Sequence, residues 1–296
     1  MRVLGDGIAA HIASGATTLV TCWRIARKDG VVLGFTDHDE TLGFDGVDYL
    51  PAHGLDGSEA PSKLGAQVDT AEVLGVLSSD AIAEEDILLG RFDAAEVVTF
   101  RVNWRDSSQR FVVRRATIGE IVREDGVFRA ELRSGQAALN VPKGRVYQAL
   151  CDAELGDARC GVDLGDEAYR AEAVVAEVLD RFRLRVEGIS DFDAGWFAFG
   201  TAAWASGKRE GLRDRVVTAV REGEVDLLGF SAPVGDWVVE GEALVLTAGC
   251  DRRFATCVER FGNAANFRGF PHIPGSDFVL RYPREGDVRD GRKLVG

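Results

Sequence analysis

Short runs in which apolar residues alternate with polar ones recur along the chain, separated by turn residues. LVTCWRIAR (residues 19–27), VVTFRVNW (97–104) and QRFVVRRATIG (109–119) are rich in β-branched and aromatic residues and read as strands. An Asp-Gly pair stands between apolar runs at Asp29-Gly30, Asp45-Gly46 and Asp125-Gly126, each a signal for a two-residue hairpin of the primed type. Strands return between residues 168 and 248, in YRAEAVVAEVL, RFRLRVEGI, DRVVTAVREG and GEALVLTAG. One helix interrupts the first set. In SSDAIAEEDILLGRF, Ser79 or Asp80 can cap, Glu84 and Glu85 sit early, and Gly90 follows Leu88-Leu89, which predicts a short helix over 80–89.

The texture changes after about residue 140, where NVPKGRVYQALCDAELGDARCGVDLG carries a short helical run and then a Gly- and Asp-rich loop. This divides the chain into an N-terminal β-rich domain, residues 1–140, and a C-terminal β-rich domain, residues 141–296. The fold class expected is mainly β with a few short helices. A content of 35 Gly in 296 residues agrees, because it implies many tight turns.

Charge and targeting signals exclude several functions. A net charge of −13 argues against gripping phosphate backbones, which needs clustered Lys and Arg. No apolar stretch approaches the 18 residues of a membrane span, and the N-terminal MRVLGDGIAAHIASGATTLV lacks the basic and apolar regions of a secretory signal. Synthesis in the cytosol is expected. There, five cysteines do not read as a disulfide framework.

Four of those cysteines form two pairs, Cys151 and Cys160 with spacing C-x8-C and Cys250 and Cys257 with spacing C-x6-C. Four thiolates can close a tetrahedral zinc site or hold an iron–sulfur cluster. On one continuous helix, Cys250 and Cys257 would lie about 10 Å apart along the axis, awkward for one zinc, so the spacing favours the larger cluster. A loop at Cys250 leading into a helix at Cys257 would ease either case. Four small buried hydrophobes are the blander reading. Cys22, in a strand pattern without a partner cysteine, reads as core.

Around the second pair, Asn263 and Asn266 suit turn closure, and Gly269, Pro271, Pro274 and Gly275 suggest an irregular path. Phe254, Phe261, Phe267 and Phe270 are expected to keep solvent off the sulfurs, and His272 to be a loop residue. Asp37, His38, Asp39 and Glu40 are packed together, yet neighbours in a strand point to opposite faces, so they read as a polar rim. No nucleotide-binding, metalloprotease or hydrolase motif is present, and no catalytic residue is nominated.

The runs TCWRIARKDGVVLGFTDHDETLGFDGVDYLP, LLGRFDAAEVVTFRVNW, CDAELGDARCGVDL and GCDRRFATCVERFGNAANFRGFPHIPG together resemble the DUF2163 / phage BR0599 family of tailed phages, prophages and gene transfer agents. The resemblance covers nearly the whole chain. It implies a non-enzymatic tail-tip or baseplate hub, distantly similar to the minor tail protein L of lambda-like phages, assembled in the bacterial cytoplasm and carried at the virion tail tip. It further implies β-barrel-like hub domains and a cysteine-rich iron–sulfur domain, with a [4Fe-4S] cluster on Cys151, Cys160, Cys250 and Cys257. The implied partners are a homotrimer of the chain, the distal tail protein ring and a trimeric tip or fibre protein, with DNA passing nearby without specific binding. An iron–sulfur redox enzyme and a zinc-stabilised binding module outside any virion are the alternatives.

Overall fold

A computed structural model describes residues 4–52, 70–71, 82–124, 127–135, 144–223 and 225–273. The chain is mainly β with a few short helices and divides into two compact units, Met1–Pro142 and Lys143–Gly296.

The first unit opens with α1 (Asp6–Ala13). Its strands are β1 (Leu19–Ala26), β2 (Val32–Thr36), β3 (Leu42–Phe44), β4 (Val47–Pro51), β5 (Thr70–Ala71), β6 (Glu96–Asn103), β7 (Asp106–Glu124) and β8 (Val127–Ser134). They form one sheet in the order β3-β4-β2-β1-β6-β7-β8-β5. Successive side chains of a strand point to opposite faces, so a sheet packed on both sides needs apolar residues at consecutive positions. That is what β1 and β6 carry. Cys22, Val98 and Phe100 join Leu42, Phe44 and Tyr49 in one cluster, while Trp23, Ile25 and Val97 join Phe35, Phe92 and Ile118 in another. Cys22 is fully buried, as expected of a core residue, and burial pushes its thiol up to about 11.

The three Asp-Gly signals have different outcomes. Asp45-Gly46 is a two-residue hairpin: both residues have positive φ, 53° and 72°, and Phe44 pairs with Val47 across them. Asp29-Gly30 also lies in a hairpin, but its loop is longer, because Arg27 closes onto Val31 through the backbone and the first strand pair is Ala26 with Val32. Asp125-Gly126 lies outside the described residues, between paired Glu124 and Val127. The expected helix over 80–89 is confined to α2 (Glu84–Leu88), whose N-cap is Ala83 with no side-chain cap; Ser79 and Asp80 lie outside the described residues. Residues 37–40 are irregular, with the Asp37 carboxylate accepting from the Thr21 N–H at 2.7 Å and the His38 ring 5.1 Å from that of Trp104. They form a polar rim.

The second unit contains a closed barrel of six antiparallel strands: β9 (Arg170–Val178), β10 (Arg183–Glu187), β11 (Thr201–Trp204), β12 (Arg213–Glu222), β13 (Val225–Phe230) and β14 (Ala243–Thr247). The ring runs β10-β13-β12-β11-β14-β9. The first unit's described strands, by contrast, make a sheet and not a second closed barrel. Alternation is regular in β9, β13 and β14, so Ala173, Val175, Leu228, Leu244 and Leu246 fill the interior. A buried ion pair supports one end: Arg209 contacts Asp214 at 2.7 Å, and the Trp204 indole N–H donates to the same carboxylate at 2.7 Å.

The helical run expected before Cys151 is absent from the described residues, since 144–166 are bends, turns and irregular chain and 140–143 lie outside them. Gly144 has φ +134°, and Val146, Tyr147 and Leu150 are exposed, so no apolar stripe is buried that could hold a short helix.

Candidate four-cysteine centre

Two segments of the second unit meet at the cysteines. Cys151 and Cys160 lie on the irregular stretch before the barrel, and Cys250 and Cys257 lie just after β14, the last barrel strand. Cys250 is in the loop and Cys257 is in α3 (Phe254–Glu259), the loop-to-helix arrangement that relieves the axial separation. All four line one cavity, together with Leu155, Val162, Phe261, Asn263, Asn266 and Phe267. The cavity is small and partly open to solvent. Cys151, Cys160 and Cys257 are buried, Cys250 is half-buried, and none is in a disulfide.

Backbone contacts bring the segments together. The Cys151 N–H donates to the Arg252 carbonyl at 2.8 Å, and the Phe270 N–H donates to the Gln148 carbonyl at 2.9 Å. Gly269 permits this approach, since a Cβ there would lie 2.6 Å from the Leu150 carbonyl oxygen. Arg252 has φ +64°, an unfavourable conformation for a residue with a side chain. Its N–H points at the Cys250 sulfur at 3.3 Å.

The loop between the first two cysteines is organised by Asp157. Its carboxylate accepts from the backbone N–H groups of Cys160 at 2.7 Å, Arg159 at 2.8 Å and Glu154 at 3.1 Å. The Cys160 N–H bond is the main cause holding this carboxyl below its ordinary range. Asp152 is lowered as well, chiefly by the Arg145 guanidinium, which reaches it at 2.8 Å. Arg145 also donates to the Arg268 carbonyl at 2.5 Å, tying the two segments a second time.

Asn263 links the pairs. Its amide donates to the Cys160 carbonyl at 2.7 Å and faces the Cys160 sulfur at 3.5 Å, while its own carbonyl accepts from the Cys257 thiol at 3.4 Å. The Asn266 amide donates to the Asn263 side-chain oxygen at 2.8 Å. The Arg268 N–H meets the Cys151 sulfur at 3.4 Å. N–H groups thus face three of the four sulfurs.

Protonation is favoured. Burial first, then the neighbouring cysteine sulfurs, push the Cys257 thiol up to about 11, and burial likewise raises Cys250. Ionising these two thiols together calls for a compensating cation, and binding one would release their protons. Sulfur donors, N–H groups aimed at them and apolar walls fit a metal centre. Among the described residues, however, no three His, Cys, Asp or Glu side chains are grouped to hold a metal ion.

The phenylalanines divide. Phe261 and Phe267 line the cavity, Phe254 backs Phe267 with ring centroids 5.0 Å apart, and Phe270 instead turns outward against Tyr147 at 4.6 Å. His272 is exposed and away from the lining; Pro274 and Gly275 lie outside the described residues. Asp157, Arg145 and the twisted Arg252 are contributions that residue-type reasoning missed. Of these, Asp157 had a signal in the D-x-x-C spacing, a common pattern for a side chain that bonds backbone N–H groups two and three positions on.

The relationship to known proteins extends over both units. A family model described as "Baseplate hub protein, N-terminal attachment domain" matches residues 6–163, more than half of the chain. The chain belongs to the phage baseplate hub family. A second model, "Phage conserved hypothetical protein BR0599", matches residues 195–277, which include Cys250, Cys257 and the F-G-N-x-x-N run. A solved structure described as "Virion of native gene transfer agent (GTA) particle" contains a chain 40% identical to this one, with a TM-score of 0.85, covering 98% of this chain and 100% of that one. No curated protein matches. Membership of the hub family places the chain among structural virion proteins, and among the described residues no helix is long and apolar enough to cross a membrane.

Proposed function

We propose that this baseplate hub protein is a component of a gene transfer agent or phage tail tip, assembled in the bacterial cytoplasm, in which Cys151, Cys160, Cys250 and Cys257 hold a structural [4Fe-4S] cluster. The observation that carries the cluster is the single cavity lined by four cysteines from two segments about 100 residues apart. When bound, the cluster supplies a covalent-strength crosslink. The protein's own residues do the rest: Asp157 shapes the first loop, Gly269 admits the second segment against it, and Phe261 and Phe267 limit water at the sulfurs. A tie between residues this far apart removes chain entropy from the unfolded state, and redox turnover is not required.

In this reading three copies of the chain form the hub, with a distal tail protein ring on one side and a trimeric tip or fibre protein on the other. The high identity to a chain of a gene transfer agent virion, over nearly its full length, supports that role. Electron microscopy of assembled tails with the protein located in them tests it; a particle complete without the protein sinks it. Anaerobic purification tests the cluster: iron and acid-labile sulfide at four each per chain are expected, and stoichiometric zinc instead rejects it. Cys257→Ser is expected to abolish cluster retention and reduce particle assembly, measured by iron content and particle yield.

A further inference from the structure

We propose that Asn263 is the positioning residue that makes the four sulfurs unequal toward a bound metal group, its side-chain amide facing the Cys160 sulfur and its backbone carbonyl facing that of Cys257, which is left the weakest ligand. The proposal rests on the reading that the four cysteines hold a metal group. The Arg252 N–H faces Cys250, the Arg268 N–H faces Cys151, and the Asn263 amide faces Cys160. Cys257 has a different neighbour. Its sulfur lies 3.4 Å from the backbone carbonyl oxygen of the same Asn263. That contact is with an acceptor, where the other three sulfurs face N–H donors.

Neighbouring groups fix the orientation of the Asn263 amide. The Asn266 amide donates to its oxygen at 2.8 Å, and the Cys160 carbonyl accepts from its nitrogen at 2.7 Å. Flipping the side chain would set oxygen against oxygen and nitrogen against nitrogen. The N–H groups are therefore held toward Cys160, and Asn266 is their support. Hydrogen bonds to metal-bound sulfur withdraw charge from the centre, raising its reduction potential and slowing ligand loss.

The test uses the full chain purified anaerobically with its metal, comparing wild type with Asn263→Asp, which keeps the shape but removes the donor, and Asn263→Gln, which keeps the donor. The primary reading is the rate of metal loss to an external chelator. At least tenfold faster loss is expected for N263D and a rate nearer wild type for N263Q. If the bound metal is an iron–sulfur cluster, N263D is also expected to lower the reduced-to-oxidised ratio at a set potential at least tenfold, equivalent to 59 mV for a one-electron couple. Equal loss rates in wild type and a folded N263D overturn the proposal. Zinc in the wild type defeats the cluster assignment while the ratio of loss rates still decides the role of Asn263, and a wild type with no metal defeats both. Should N263D not fold, Asn266→Ala decides: several-fold faster loss supports the proposal, and an unchanged rate overturns it.

Discussion

Asp157 shows how one carboxylate can shape a cysteine loop. Three backbone N–H groups converge on it, the Cys160 N–H foremost, and they lower the pKa of its carboxyl. A carboxyl whose folded pKa is depressed contributes stability that is present above its unfolded value, about 3.9, and disappears as pH falls through the lower folded value. Asp152, lowered mainly by Arg145, acts in the same direction. Stability of the second unit is therefore expected to fall on acidification below about pH 4, followed by thermal unfolding of the metal-free chain. Asp157→Asn is expected to be less stable at neutral pH and to show a shallower acid dependence. At Gly269 the constraint is space, because an added methyl would overlap backbone of Leu150 and Ala149. Gly269→Ala is expected to cost about 1–3 kcal/mol and to lower metal content, measured by denaturant unfolding and metal analysis.

At the scale of elements, the barrel depends on a polar cluster as well as its apolar interior. Asp214 is buried, pairs with Arg209 and accepts the Trp204 indole N–H. Asp214→Ala would leave Arg209 buried without its partner, so a loss of about 3–5 kcal/mol is expected in denaturant unfolding. A loss below about 1 kcal/mol would contradict this account. The strands themselves were legible in the chain: the alternation in YRAEAVVAEVL and GEALVLTAG becomes β9 and β14, and the adjacent apolar pairs Cys22-Trp23 of β1 and Val97-Val98 of β6 reflect burial on both faces. The Asp29-Gly30 loop was less legible, because its length depends on the Arg27–Val31 closure, a backbone bond that residue type does not encode. The helix expected before Cys151 illustrates the opposite limit. Local propensity was present, but the segment's path is governed by bonds to Arg252 and Arg268, both more than 100 residues away. The cysteine pairs could be named from spacing, whereas their shared cavity could not, since it depends on both ends of the barrel sequence returning to one place.

For the whole molecule, acidity carries a consequence for assembly. A net charge of −13 lacks the surplus of Lys and Arg that neutralises phosphates. Duplex DNA is expected not to bind the purified protein at 50 mM salt in fluorescence anisotropy; binding that weakens steeply as salt rises would contradict this. Closure of the barrel matters here in another way. A sheet that joins its own ends offers no open backbone seam, so crowded copies have no row of unsatisfied N–H and C=O groups in the barrel on which to zip together. Contacts made by the barrel must instead be specified by side chains and loops. Recognition there can change one residue at a time, without any partner having to share the barrel's strands.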